Sequence, residues 1–229
     1  MLYTDKGTRR LFASLVAISA FAAVSTAGAQ KMPMPTGWSA VNPHEDYVVG
    51  AEPGRRTDGD GWVLGTIKSK VAVPQQNAML QQSIKADAYV GKRMRLTGYV
   101  KTADKNLGTA HMFIRVDGEG FAHTSDYMWE RPIAANSEWT KYALVVDVPK
   151  NAIGITFGLA LEGGGQAWVD DVALEQVGNE VATTGRPGGM VAPEPVPTAK
   201  QKFDMVDAYR NAPLAPTNLD FELRAIAAR

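Results

Sequence analysis

Apolar and polar residues alternate along several stretches in the middle of the chain. Between residues 92 and 101, one side of an extended segment carries only apolar or small residues: Met94, Leu96, Gly98 and Val100. Successive side chains of a strand point to opposite faces, so this pattern predicts a β-strand with one face in a core and the other in water.

The same alternation recurs between turn-forming Gly, Pro, Asn and Asp residues. It predicts further strands at residues 62–73, 110–117, 139–148, 153–161 and 166–176. In residues 110–117, the expected wet face carries His111, Phe113, Arg115 and Asp117. About eight strands, each with one apolar face, must bury those faces against one another. The pattern therefore predicts an all-β sandwich of two sheets over residues 37–177.

The chain changes character after Gly178. Residues 183–199 are rich in Pro and Gly and predict an extended linker. Residues 200–211 place Phe203, Val206 and Tyr209 at helical spacing and predict a short helix. Residues 178–229 are therefore interpreted as a linker, a short helix and a strand-like C-terminal tail.

Residues 1–29 have the pattern of a signal peptide. Lys6, Arg9 and Arg10 precede an apolar run over residues 11–24, and Ala27-Gly28-Ala29 is a typical cleavage signal. A membrane anchor is the alternative, but the run is short for a span, so no stable span is expected after cleavage. The paired arginines leave the general secretory and twin-arginine routes open. Either route predicts a periplasmic or secreted protein.

Composition removes several functions from consideration. The 229 residues contain 24 basic and 24 acidic side chains, three histidines and no cysteine. Balanced charge argues against a nucleic-acid binder, and the lack of cysteine excludes disulfides and thiolate chemistry. Neither a G-x-S-x-G nor an H-E-x-x-H motif occurs. We therefore expect no enzymatic activity.

Several segments carry a family resemblance. They are residues 89–102, 115–118, 126–133, 139–142, 157–159 and 165–172. In this order they resemble bacterial jelly-roll domains of the galactose-binding-like, carbohydrate-binding-module type. The resemblance covers about residues 37–177 and implies a jelly roll whose partner is a glycan or another polar ligand. For many such domains no ligand is established.

One departure from the family pattern concerns its first strand. An Asn-x-x-Phe-Glu strand usually precedes the first tryptophan, yet here nothing of that kind precedes Trp38. The pattern appears instead at residues 218–222. We expect this segment to add a strand to the sandwich, either in its own chain or through self-association with a second copy.

The segment 123–131 combines aromatic and polar residues suited to a sugar, which needs flat rings and a few fixed hydrogen-bonding groups. With polar residues from the wet strand faces, the candidate ligand-binding residues are Arg95, Tyr99, His111, Arg115, His123, Asp126, Tyr127, Trp129 and Arg131. The alternative is that they satisfy one another. Arg131 would then pair with Asp126 or Glu130, and Arg95 with Asp117.

Asp170 and Asp171 are adjacent acidic residues in a predicted strand. Neighbours in a strand point to opposite faces, so they cannot act as an acid–base pair on one bond. The family resemblance implies that an Asp of this last strand binds a structural calcium with backbone carbonyls. The alternative is that one Asp pairs with an arginine or caps a turn.

Three functions remain open on these grounds. The expected one is an exported, non-catalytic, carbohydrate-binding-like module. The alternatives are a structural or protein-interaction sandwich and, less favoured, a jelly-roll enzyme. Exposure of Tyr127, Trp129 and Arg131 on one face would favour the binding module, whereas their burial would favour the structural one.

Overall fold

The computed structural model describes residues 32–103, 108–119, 122–187 and 198–222. The predicted signal peptide and residues 188–197 of the predicted linker lie outside these ranges, as does the side chain of His123.

Eleven strands and one helix form from these residues. The strands are β1 (Ser39–Val41), β2 (Tyr47–Pro53), β3 (Val63–Ser69), β4 (Ala78–Lys85), β5 (Arg93–Thr102), β6 (Thr109–Asp117), β7 (Ala122–Asp126), β8 (Thr140–Asp147), β9 (Gly154–Glu162), β10 (Gln166–Val177) and β11 (Arg186–Pro187). The helix, α1, spans Ala199–Arg210. The sequence predicts about eight strands but does not locate β1, β2, β4, β7 or β11, and of these β1 and β11 are too short to show an alternation.

The strands form two antiparallel sheets. A six-stranded sheet has the order β1-β4-β9-β6-β7-β11, and a five-stranded sheet has the order β2-β3-β10-β5-β8. The predicted all-β jelly-roll sandwich is confirmed. Consecutive strands β5 and β6 lie in different sheets, and this crossing decides which predicted site residues can meet.

The core lies between the two sheets. The buried side of β5 is the predicted one, since Met94, Leu96 and Val100 are all shielded from solvent. Ile114 of β6 and Phe157 of β9 face them from the other sheet and are fully buried. Burying each large apolar side chain contributes about 1.5–3 kcal/mol to folding.

The prediction that one face of β6 is exposed to water is wrong. His111, Phe113 and Asp117 are at most 2% exposed, although they lie opposite the core-facing residues. The loop after β7 and helix α1 cover them. Residues distant in sequence supply this cover, so the alternation within β6 alone does not reveal it.

The C-terminal segment docks on the sandwich, but it does so as a turn and not as the strand we expected. Asn218 and Phe221 have φ of 52° and 63°, which the extended conformation does not allow. The buried side chain of Gln82 bonds both the N–H and the carbonyl of Thr217, each at 2.8 Å. Phe221 is fully buried in the core.

Helix α1 agrees with the sequence prediction within one residue at each end. None of the helices in the described part of the chain has the length and apolar character needed to cross a membrane.

Candidate functional site

The outer face of the six-stranded sheet carries a row of side chains along β6. His111, Phe113, Arg115 and Asp117 alternate with the core residues and point away from the core. Residues two apart on a strand are about 7 Å apart, so the row extends over about 20 Å. The neighbouring strand β9 contributes only small residues to this face: Gly154, Thr156, Gly158 and Ala160.

An aromatic stack covers the first half of this row. The loop after β7 folds back so that Tyr127 lies parallel to Phe113, with ring centroids 5.5 Å apart. Trp129 follows, 5.7 Å from Tyr127 at an interplanar angle of 20°. Trp129 is 59% exposed and therefore presents a ring surface to solvent.

The loop that carries the stack is held by the side chain of Asp126 and by a bridge to β6. Met128 has φ of 53°, and its N–H donates to Oδ1 of Asp126 at 2.9 Å. Ile133 is buried and forms a bridge with Ala110 of β6. This conformation fixes the rings of Tyr127 and Trp129 before any ligand binds.

His111 lies beneath Trp129, with ring centroids 4.5 Å apart. It is 1% exposed, and neither ring nitrogen has a hydrogen-bond partner in the described part of the chain. Burial lowers its pKa to about 4, so the imidazole is neutral at pH 7. The candidate ligand-binding residue is therefore shielded by the ring above it.

A polar cluster occupies the other end of the row. Nε of Arg115 lies 2.9 Å from both carboxylate oxygens of Asp117. Burial opposes the charge of Arg115, but Asp117 stabilises it and raises the pKa of Arg115. The Tyr209 hydroxyl of α1 donates to Asp117 and lies 2.7 Å from Oγ1 of Thr156. Burial, followed by the charge of Asp117, raises the pKa of Tyr209.

Asp126 and Arg131 pair with each other, as one of the alternatives from the sequence proposes. Asp126 is 5% exposed and also accepts a 2.6 Å bond from the hydroxyl of Thr184. Thr184 in turn accepts from the N–H of Val145 on β8, so the group joins the edges of the two sheets. Asp126 thus supports the loop and has little surface for a ligand.

Arg95 and Tyr99 lie on the outer face of the other sheet, away from the aromatic stack. Nε of Arg95 donates to Glu175 at 2.9 Å, so the alternative that Arg95 pairs with Asp117 is wrong. Tyr99 lies under the guanidinium of Arg56 at 3.7 Å from the ring centroid. The nine candidates therefore do not form one site, because β5 and β6 belong to opposite sheets.

Asp170 and Asp171 both contact Arg56, a residue that no pattern in the sequence singles out. A β-bulge after Asp170 and φ of 47° at Asp171 turn the two carboxylates toward one guanidinium. Burial raises the pKa of Asp170 to about 6. Arg56 is 4% exposed, so a cationic group already neutralises this pair.

The residues around Asp170 do not fit a calcium ion. Calcium needs six to eight oxygen ligands, and a buried guanidinium beside both carboxylates repels a second cation. Within residues 32–103, 108–119, 122–187 and 198–222, no cluster of three or more acidic, histidine or cysteine side chains has a metal-binding arrangement. The pairing of an Asp with an arginine, the alternative to calcium, is what the structure shows.

Comparison with known proteins places the fold more firmly than the function. No family model matches the chain. Over 111 residues it is 40% identical to the uncharacterized HTH-type transcriptional regulator YbfP of Bacillus subtilis, a match that covers 47% of this chain. The match covers 36% of that relative, so the chain spans only about a third of its length.

Solved structures with similar folds are distant in sequence. The enzymatically active domain of bacteriophage CBA120 tailspike protein 4 is 18% identical with a TM-score of 0.50, covering 62% of this chain and 20% of that one. The CBM22-1 xylan-binding domain from Paenibacillus barcinonensis Xyn10C is 13% identical with a TM-score of 0.48, covering 63% and 88%. At these identities the similarity concerns the fold alone.

Proposed function

We propose that this protein is an exported, non-catalytic module that binds a glycan on the outer face of its six-stranded sheet. The observation that supports the proposal best is the ring of Trp129, which is 59% exposed on a stack of fixed aromatic side chains. Export rests on the signal-peptide pattern of residues 1–29.

The stack suits the apolar face of a sugar ring. A rigid aromatic surface loses little entropy on binding, and each favourable ring contact contributes about 1 kcal/mol beyond the area that it buries. Arg115 stands next to the stack on β6, and its side chain is 38% exposed. Its guanidinium supplies donors for sugar hydroxyls, while Trp129 and Tyr127 supply the stacking surface.

The carboxylates beside the stack argue against catalysis. Hydrolysis of a glycosidic bond requires two carboxyl groups that flank the bond. Asp117 is fully buried against Arg115 and Tyr209, and Asp126 is held by Arg131 and Thr184. Both therefore serve the structure of this face.

The exposure of the loop separates this proposal from a purely structural role. Trp129 and Arg131 are exposed, which supports a binding module, whereas Tyr127 is half-buried between Phe113 and Trp129. A packing role for the loop would bury these side chains.

A glycan-array screen of the mature protein tests the proposal, with calcium and with a chelator. Trp129→Ala should weaken binding of the best glycan about tenfold, equivalent to about 1.4 kcal/mol. Trp62→Ala is the matched control, because Trp62 is 65% exposed on the loop between β2 and β3. Equal binding by wild type and Trp129→Ala would remove the stack from the site. Absence of any bound glycan would favour the protein-interaction alternative.

A further inference from the structure

Helix α1 lies on the same face of the six-stranded sheet as the aromatic stack. Its anchor is Tyr209, whose ring lies directly on Gly154 of β9. A methyl group at Gly154 would come within 2.2 Å of two carbon atoms of that ring. Tyr209 therefore fills a position on this face that only a glycine leaves open.

The hydroxyl of Tyr209 completes a directed chain of hydrogen bonds. Each hydroxyl has a single hydrogen. Tyr209 donates its hydrogen to Asp117, so Thr156 must donate to Tyr209 over 2.7 Å. Ser83 then donates to Thr156 over 2.8 Å. The group that lies between Asp117 and Thr156 therefore donates one hydrogen bond to the carboxylate of Asp117 and accepts one from the hydroxyl of Thr156.

A sugar hydroxyl meets the same requirement, since it also has one donor and two acceptor positions. Arg115 joins this position to the aromatic stack, because it lies two residues from Phe113 and two from Asp117 on β6. A glycan that extends from the aromatic stack along β6 past Arg115 would reach the place that Tyr209 occupies.

Tyr209 itself is not a stacking surface for a ligand. It is 5% exposed, because the helix that carries it covers the ring. Among the side chains of α1 that the structure describes, Tyr209 alone is buried, and Val206 is 40% exposed. Tyr209 joins α1 to the sheet through its hydrogen bonds to Asp117 of β6 and Thr156 of β9.

We infer that helix α1 is an intramolecular competitor of the ligand, with the Tyr209 hydroxyl in the place of a sugar hydroxyl. This inference rests on the proposed function, and it adds that the site is limited at one end by the protein's own C-terminal helix. An oligosaccharide long enough to reach Asp117 and Thr156 displaces Tyr209, whereas a short one binds the aromatic stack alone.

The test compares variants that release the helix by different routes. Tyr209→Ala removes the anchor, and Gly154→Ala leaves Tyr209 intact but places a methyl group beneath its ring. Tyr209→Phe keeps the ring and removes the hydroxyl. Val206→Ala is the matched control, because Val206 is 40% exposed on the same helix.

Affinities for the best array glycan, in short and long forms, are measured by titration calorimetry. Tyr209→Ala and Gly154→Ala should bind the long form at least several-fold more tightly than wild type and the short form equally well. The affinity of Tyr209→Phe for the long form should lie between that of wild type and those of Tyr209→Ala and Gly154→Ala. Val206→Ala should match wild type. In wild type, the long glycan should accelerate amide hydrogen exchange in residues 199–210.

Several results would overturn the inference. One is equal or weaker binding of the long glycan by folded Tyr209→Ala and Gly154→Ala, and another is slower exchange of the helix amides when glycan binds. If Tyr209→Ala does not fold, Gly154→Ala and the exchange measurement decide. If the variants bind like wild type, only the competition fails, whereas absence of glycan binding by every protein defeats the proposed function as well.

Discussion

Phe221 of the C-terminal segment packs against Trp38 at the start of the sandwich, with ring centroids 4.7 Å apart. The indole Nε1 of Trp38 also donates to the carbonyl of Asn218 at 2.9 Å. The carboxylate of Glu222 accepts from the N–H groups of Trp62 and Val63 at 2.6 and 3.0 Å. The two ends of the described chain therefore complete the core together.

Phe221→Ala should lower the free energy of unfolding by about 3–5 kcal/mol, because it removes a fully buried aromatic ring and leaves a cavity. Leu214→Ala is the control, since Leu214 is 61% exposed in the same C-terminal region. Urea denaturation measures both. Truncation after Pro216 should be at least as destabilising as Phe221→Ala, and an unchanged melting temperature for the truncated protein would show that the tail does not complete the sandwich.

His111 should make the protein less stable in acid. Its pKa lies near 4 in the folded state against 6.5 for an ordinary histidine, so the unfolded state binds the proton more tightly. Stability from this group is complete above pH 6.5 and falls as the pH drops toward 4, by on the order of 3 kcal/mol. His111→Phe keeps a ring beneath Trp129 and should lose this dependence.

Urea unfolding of wild type and His111→Phe at pH 7 and pH 4 measures the effect. His44→Phe is the control, because His44 is exposed. Parallel pH dependence of wild type and His111→Phe would mean that the imidazole has access to water in the folded protein.

Asp170 should make the protein more stable in acid, over nearly the same pH range in which His111 makes it less stable. Burial raises its pKa from 3.8 to about 6, so the folded state binds the proton more tightly. As the pH falls from 6 toward 3.8, protonation stabilises the fold by on the order of 3 kcal/mol. Relative to wild type, Asp170→Asn should therefore lose stability on acidification. Asp58→Asn, which changes an exposed partner of the same arginine, should not.

Arg56→Met should destabilise the protein by about 3–5 kcal/mol at pH 7, because it leaves the buried carboxylate of Asp170 without its cation. Arg55→Met is the matched control, since Arg55 is exposed and its charge lies over the ring of Trp62. Denaturant unfolding distinguishes the two. A loss of similar size in both variants would contradict a specific role for Arg56.

Calcium should leave the melting temperature of the wild-type protein unchanged, with or without a chelator. The physical reason is the guanidinium of Arg56, which already neutralises Asp170 and Asp171. A ligand that binds only the folded state raises the melting temperature, and the rise grows with the logarithm of ligand concentration once that concentration exceeds Kd. A melting temperature that rises with added calcium and returns to its starting value with chelator would therefore show that a metal site forms despite Arg56.

The strands were largely predictable because alternation is a local property. The turn residues and the period of two locate β5, β6, β8, β9 and β10 within one or two residues of their observed ends. The inward faces of β5 and β6 follow from the same alternation. Helix α1 was predictable for the same reason, since its spacing is also local.

The site was only partly predictable. Tyr127 and Trp129 are recognisable from their position beside polar residues, and both lie on one face with His111 and Arg115. Arg95 and Tyr99 are separated from them because the chain passes from one sheet to the other between β5 and β6. No local pattern encodes that crossing.

By itself the sequence determined where β5, β6, β8, β9 and β10 form, which side of β5 is buried and that the C-terminal Asn-x-x-Phe-Glu pattern belongs with the sandwich. Tertiary structure alone decided that this segment docks as a turn, that Arg56 joins Asp170 and Asp171, and that Tyr209 covers Asp117. The physical reason is range: alternation acts over neighbouring residues, whereas these contacts join side chains far apart in the chain, which meet only after both sheets have packed.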